Sequence, residues 1–259
     1  MCLLIFAHQL AADYPLLVAA NRDEFHARPT AVSGFWPEYP AVLAGRDLQQ
    51  GGTWMGVARD GRFAAVTNYR DPSRTASAPR SRGELPLGYL TGEQAPLSFL
   101  NDLATRAQDY AGFNLLVGDR HSLCYFSNGS LESPIELPPG LYGLSNASLD
   151  TPWPKVELGK ARLKTVLKGK HISHDALSRV VADRELAQQK SLENRELKST
   201  MEALLSAQFI VTETYGTRSC TTLWFDAQGD ASWREKSFSE GGDLLEMQQQ
   251  EFSLTDKPE

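Results

Sequence analysis

The chain is predicted to fold as one layered α+β domain spanning residues 1–259, and three observations point there. Apolar runs punctuated by turn residues fill the first third and return near the end. Stretches of helical spacing lie between them. No linker clearly separates two cores, and no internal repeat is visible. At 259 residues such a chain buries roughly three-quarters of the surface it exposes unfolded, so it needs no disulfide or metal staple.

The first run, Cys2-Leu3-Leu4-Ile5-Phe6-Ala7, is apolar at successive positions, which predicts a strand buried on both faces. Leu16 to Ala20 repeats the pattern, and Asp13-Tyr14-Pro15 between them reads as the turn of a hairpin. Thr53–Val57 and Phe63–Thr67 flank Asp60-Gly61, a dipeptide suited to a tight hairpin turn. Residues 71–84 are rich in Pro, Ser and Arg and read as a loop. Pro96 to Tyr110 carries Leu97, Leu100, Leu103, Ala104 and Ala107 at helical spacing. Phe113–Gly118 and Ser122–Phe126 form another hairpin pattern across Asp119-Arg120.

A helix is expected to open near Pro154 and run through Lys155–Lys168, since proline suits a first turn. A second helix is expected after Ser173, with Asp175 favourably placed for its dipole. Gln188 to Lys198 is charged and aperiodic, a loop or weak helix. Two late strands near Thr217–Phe225 and Ala231–Phe238 meet at Ala227-Gln228-Gly229-Asp230. The tail after Phe252 is expected to fray.

Charge and composition narrow the partners. The 26 Lys+Arg and 32 Asp+Glu leave a net charge of −6, against the basic surface that nucleic acid or an anionic membrane would require. The apolar run at the N-terminus is too short for a signal-peptide core or a membrane span. Cys2, Cys124 and Cys220 are odd in number and far apart, which argues against a disulfide framework or structural zinc site. A soluble protein of the cytoplasm with a small-molecule partner is the expectation.

Cys2 is the sharpest chemical feature. Removal of Met1 would leave a thiol and an α-amine on one residue, with the amine placed to act as base for the nucleophile. The same residue also suits a small buried side chain opening a core strand. Asn21-Arg22-Asp23-Glu24 ends the second strand, where alternation puts Arg22 and Asp23 on opposite faces unless a bulge intervenes. A guanidinium beside a thiol lowers its pKa, and a carboxylate orients an ammonium. Asn68 and Asn146 are carboxamides at strand or loop ends, suited to an oxyanion site or to ordinary turn chemistry. Arg218, beginning a late strand, is suited to a substrate carboxylate.

Several motifs then fall in order. Cys2 is followed by Asn21-Arg22-Asp23-Glu24-Phe25, Gly51-Gly52-Thr53-Trp54-Met55-Gly56, Thr67-Asn68-Tyr69-Arg70 and Gly143-Leu144-Ser145-Asn146. Leu149 to Val156 and Tyr215-Gly216-Thr217-Arg218-Ser219 complete the set. From Cys2 to about Phe238 the chain resembles the NRDE family, the relatives of transport and Golgi organisation protein 2. That resemblance implies a fold like the N-terminal nucleophile hydrolases, a four-layer αββα sandwich of two stacked antiparallel sheets between helices. It implies Cys2 as nucleophile, Asp23 at its amine, Arg22 beside the thiol, Asn68 and Asn146 shaping the oxyanion site, and Arg218 as a later arginine on a strand. In those hydrolases the early arginine and aspartate are not adjacent, as they are here.

Two classes of function follow. One is a cytoplasmic hydrolase acting through Cys2 on a small amide or thioester, with no cofactor. The other, also implied by the resemblance, is a non-enzymatic carrier in intracellular haem trafficking, with haem as cargo, or a degenerate enzyme that binds acyl-CoA. His8 at the end of the first strand and His26 after the N-R-D-E run are the haem-ligand candidates, placed to rim one cleft, although each equally suits a surface or turn position. His171 and His174 are assigned to a helix entry.

Overall fold

The computed structural model describes residues 2–70, 78–169, 171–185 and 206–255. Thirteen strands, β1 to β13, and four α-helices, α1 to α4, make up the described chain. β1 (Cys2–Ala11) and β2 (Tyr14–Phe25) pair as the first hairpin. The turn is Ala12-Asp13, one step earlier than expected, and Tyr14-Pro15 already belongs to β2. Pro15 is tolerated there because the β1–β2 register is irregular between His8 and Ala11, and because the β11 ladder on the other side stops at Leu16.

β3 (Thr30–Trp36), β4 (Tyr39–Asp47), β5 (Met55–Ala58) and β6 (Phe63–Asn68) follow as a meander. After α1 (Glu84–Leu90) and α2 (Pro96–Ala104) it resumes with β7 (Phe113–Gly118), β8 (Leu123–Ser127) and the short β9 (Ile135–Glu136). The helix expected over Pro96–Tyr110 stops at Ala104, and a single 3-10 turn at Ala107–Asp109 takes over. β10 (Gly140–Leu144) precedes α3 (Pro154–Leu167) and α4 (His174–Val180). β11 (Tyr215–Phe225), β12 (Asp230–Phe238) and β13 (Leu244–Ser253) close the chain. The tail expected to fray is tied down through Thr255, because Leu254 N–H donates to Gly229 and Thr255 N–H to Arg59. Residues 256–259, part of the loop assigned to 71–84, and all of Gln188–Lys198 lie outside the described residues.

The strands form two antiparallel sheets, ordered β10-β1-β2-β11-β12-β13 and β3-β4-β5-β6-β7-β8-β9. Strand alternation explains how four layers arise from them. Leu4, Phe6, Leu16, Val18 and Ala20 face Met55, Val57, Phe63, Ala65 and Leu116 across the space between the sheets. Their neighbours Leu3, Ile5, Leu17 and Ala19 face outward against Val156 and Leu163 of α3 and Leu177 and Val180 of α4. On the second sheet Ala64, Val66, Leu115 and Val117 face Leu85, Tyr89, Leu100 and Leu103 of α1 and α2. The result is an αββα sandwich, and it is why the central strands read as unbroken apolar runs. No helix among the described residues is long and apolar enough to cross a membrane.

His174 locks α4 onto the first sheet. Ser173 caps the helix by accepting from Ala176 N–H. The His174 ring nitrogens lie 2.7 Å from Thr222 Oγ1 and 2.9 Å from Ser232 Oγ. Burial pushes its pKa from the ordinary 6.5 down to about 4, with Arg234 acting in the same direction. Between those values the unfolded chain takes up the proton more readily than the folded one, so stability is present in full above 6.5 and is lost as pH falls through about 4. Denaturant titrations at a series of pH values should show a loss of roughly 2 kcal/mol across that window, after allowance for solvent screening. His174→Gln should flatten the slope.

Candidate active site

The site forms where β1 begins, beside the ends of β2 and β11. Cys2 stands opposite Arg22 in the β1–β2 register. Both share the parity of Leu4 and Ala20, so their side chains enter the space between the sheets, and Cys2 packs at the margin of that core. Asn21 and Asp23 share the parity of Leu17 and Ala19 and face the layer of α3 and α4. The adjacent Arg22 and Asp23 therefore do point oppositely. Both nonetheless line one cavity of about 500 Å³ with Cys2.

Two glycines shape this cavity. Trp54 lies beneath Arg22, its ring centroid 4.3 Å from the guanidinium carbon. It fits only because Gly45 has no side chain, since a Cβ there would lie 2.3 Å from the indole. Gly52 approaches Gly83 so closely that a Cβ would meet the Gly83 backbone at 2.4 Å, and Thr53 N–H donates to Gly83 O over 3.0 Å. That contact carries the segment Arg80–Gly83 to the cavity wall.

Arg22 is 5 % exposed and donates from Nη1 to Thr30 Oγ1 at 3.0 Å. Cys2 is half-buried; burial raises the pKa of its thiol, and the Arg22 guanidinium pulls it back down. The Asp23 Oδ1 accepts from the Thr217 hydroxyl at 2.7 Å, and Tyr215 OH donates to the Asp23 carbonyl at 2.8 Å. Burial raises the Asp23 pKa, opposed by the positive charge of Lys155 among others.

Lys155 is the residue that sequence reasoning passed over. It is 2 % exposed, and burial lowers its pKa while Asp23 and Cys2 hold it up. A signal was present: Lys155 follows Pro154 in the first turn of α3, where the helix dipole disfavours a cation. Such placement needs a carboxylate nearby, and Asp23 supplies one.

The two carboxamides part company. Asn68 ends β6, is half-buried and lines the cavity. Asn146 is buried, and its Nδ2 donates to Asn68 O at 2.9 Å. Ser145 Oγ donates to Cys2 O at 3.0 Å and lies 3.2 Å from Asn146 Oδ1. Thr67 Oγ1 and Asn114 Nδ2 both donate to Ser145 O. The Ser145-Asn146 segment thus ties Cys2 on one sheet to Asn68 on the other.

Arg218 does not line the cavity. It is the extra residue of a bulge, since Thr217 pairs with Asp23 and Ser219 with Arg22. Its Nη1 donates to the carbonyls of Phe25, His26 and Arg28, at 3.0, 3.0 and 3.3 Å. The guanidinium therefore fastens the loop after β2. The histidines are set apart as well. His8 lies six residues along β1 from Cys2, about 20 Å away in an extended strand, and lines a different cavity of about 220 Å³ with Leu16, His121 and Phe225. His26 Nε2 is 3.0 Å from Thr212 O. The two do not rim one cleft, because the strand between them runs the length of the sheet.

Comparison with known proteins agrees on lineage. The family described as Transport and Golgi organisation 2 matches residues 1–240. The Transport and Golgi organization protein 2 homologs of Bos taurus and Homo sapiens are each 37% identical over 240 residues, 86% of this chain and 87% of theirs. The Drosophila melanogaster Transport and Golgi organization protein 2 is 26% identical, over 92% of this chain and 93% of its own. Among solved structures, a mutant conjugated bile acid hydrolase from Clostridium perfringens aligns over 100% of this chain and 99% of its own, at 8% identity and a TM-score of 0.45.

Proposed function

The chain belongs to the Transport and Golgi organisation 2 family, and from that premise we propose that it is a hydrolase of small amides or thioesters with the Cys2 thiolate as nucleophile. One observation carries the reading: Cys2, Arg22, Asp23 and Asn68, from three strands of two sheets, line a single cavity. Removal of Met1 frees the Cys2 α-amine. The thiol gives its proton to that amine as sulfur bonds to the substrate carbonyl carbon and the carbonyl electrons move onto oxygen. Asn68 is the carboxamide available to that oxygen. Collapse breaks the C–N or C–S bond, and the ammonium returns the proton to the departing group. Water then attacks the acyl-Cys2 thioester by the same route, which regenerates the thiol and releases the acid. Asp23 holds the ammonium form of the amine and Arg22 favours the thiolate. The chemistry asks for no cofactor, and three free cysteines suit a reducing cytoplasm.

A haem carrier would draw on His8 and His26, which do not share the Cys2 cavity, so this geometry favours hydrolysis. Intact-mass spectrometry tests the reading. The purified protein should lack Met1 and, mixed with p-nitrophenyl esters or acyl thioesters, gain one acyl increment on Cys2 that decays as product appears. A bound but unmodified protein would instead support the degenerate acyl-CoA binder.

A further inference from the structure

The Cys2 cavity contains more positive charge than its own carboxylates balance. Arg22, Arg28, Arg80 and Arg82 line it, together with Asp23, Glu24 and Asp47. Arg28 is taken by Asp47 at 2.6 Å and by Glu24 at 3.9 Å. Arg80 is ion-paired with Glu84. Asp23 faces Lys155. Glu235, buried deeper between the sheets, is engaged by Ser33 N–H and the Thr221 hydroxyl, and burial raises its pKa.

Two guanidinia remain. Among the described residues neither Arg22 nor Arg82 has a carboxylate within ion-pair distance. Arg22 makes one hydrogen bond, to Thr30 Oγ1. Half-buried Arg82 also makes one, from Nη1 to Gly112 O at 3.0 Å. Each keeps further N–H donors in a rigid planar fork. With Cys2 as the neutral thiol, the four lining guanidinia and three lining carboxylates leave one positive charge over.

Resting on the hydrolase reading above, we propose that the cavity selects acyl compounds bearing a single carboxylate, received by Arg82 with Arg22 beside the scissile carbonyl. The charge count favours a monoanion over a phosphate dianion, and the guanidinium fork matches a carboxylate in two parallel hydrogen bonds. Arg82 comes to the wall on the backbone contact between Gly52 and Gly83, so the recognition element is built by the same Gly51-Gly52 motif that precedes Trp54.

The test compares N-acylglycines of graded chain length with the matching N-acylglycinamides and N-acylphosphoethanolamines. Binding is measured by calorimetry on Cys2→Ala, and turnover on the intact enzyme. The acids should bind or react about 10- to 100-fold better than the amides, the gain of a charge-assisted hydrogen-bonded pair. Arg82→Met should erase most of that ratio and Arg82→Lys restore part of it. Equal treatment of acid and amide, absence of binding by every acid, or a preference for the phosphates would overturn the proposal. Hydrolysis failing while Cys2→Ala still prefers acids through Arg82 would leave the carboxylate site standing and remove only the catalytic reading.

Discussion

Cys2→Ala should lower turnover of any acyl substrate by roughly 10⁶-fold, into the background, while leaving the fold intact. The size of the effect follows from the other two thiols. Cys124 and Cys220 are both fully buried, and burial pushes each to about 12, so neither supplies thiolate near neutrality nor meets substrate. Cys2 alone faces the cavity. Its removal deletes a small group at the margin of the core, which should cost under about 1 kcal/mol of stability. Activity should rise with pH as the thiol ionises, and Arg22→Met should move that rise to higher pH, because the guanidinium is a side-chain charge that favours the thiolate. The measurements are steady-state rates across pH and thermal unfolding of each variant. A Cys2→Ala protein retaining even about 1% of wild-type activity would remove Cys2 from the reaction.

What the sequence made legible is set by which faces of each strand are buried. Cys2–Ala7, Leu16–Ala20, Phe63–Thr67 and Phe113–Gly118 are covered on both sides, so their apolar runs show directly. β3 and β4 were hidden by Gly34, Pro37, Pro40 and Gly45, residues that normally punctuate strands. Pro37 does sit in the turn between the two strands, while Gly34 lies where the register is irregular and Gly45 leaves room for Trp54. β13 reads as polar because it is the edge strand of its sheet and largely solvated, so no alternation betrays it.

The candidate site divided in the same way. Cys2, Arg22, Asp23 and Asn68 lie on strand ends whose register brings them to one cavity. Arg218 and the two histidines looked equivalent in sequence, yet a bulge turns one aside and strand length separates the others. Arg82 gave no local signal, because its position depends on the Gly52–Gly83 contact, made across 31 residues of chain.

The second large effect is expected in stability. Asp23→Ala should destabilise the protein by about 3–5 kcal/mol, the usual cost of stranding a buried charge, and lower Tm by roughly 10 °C for a chain of this size. Lys155, 2 % exposed at the start of α3, would lose the carboxylate that most strongly holds up its pKa. The Thr217 hydroxyl would lose its acceptor as well. If the stranded ammonium is the main cost, adding Lys155→Met should recover much of the loss, because the methionine fills similar volume without a charge. The cycle of single and double variants, followed by urea unfolding, should then give a coupling of about 1–3 kcal/mol. Additive losses would mean instead that Asp23 is held by Thr217 and the β2–β11 ladder, independently of Lys155. A non-additive cycle would show that the acid proposed for the Cys2 amine and the first-turn lysine of α3 depend on each other, which joins the stability of α3 to the chemistry of the site.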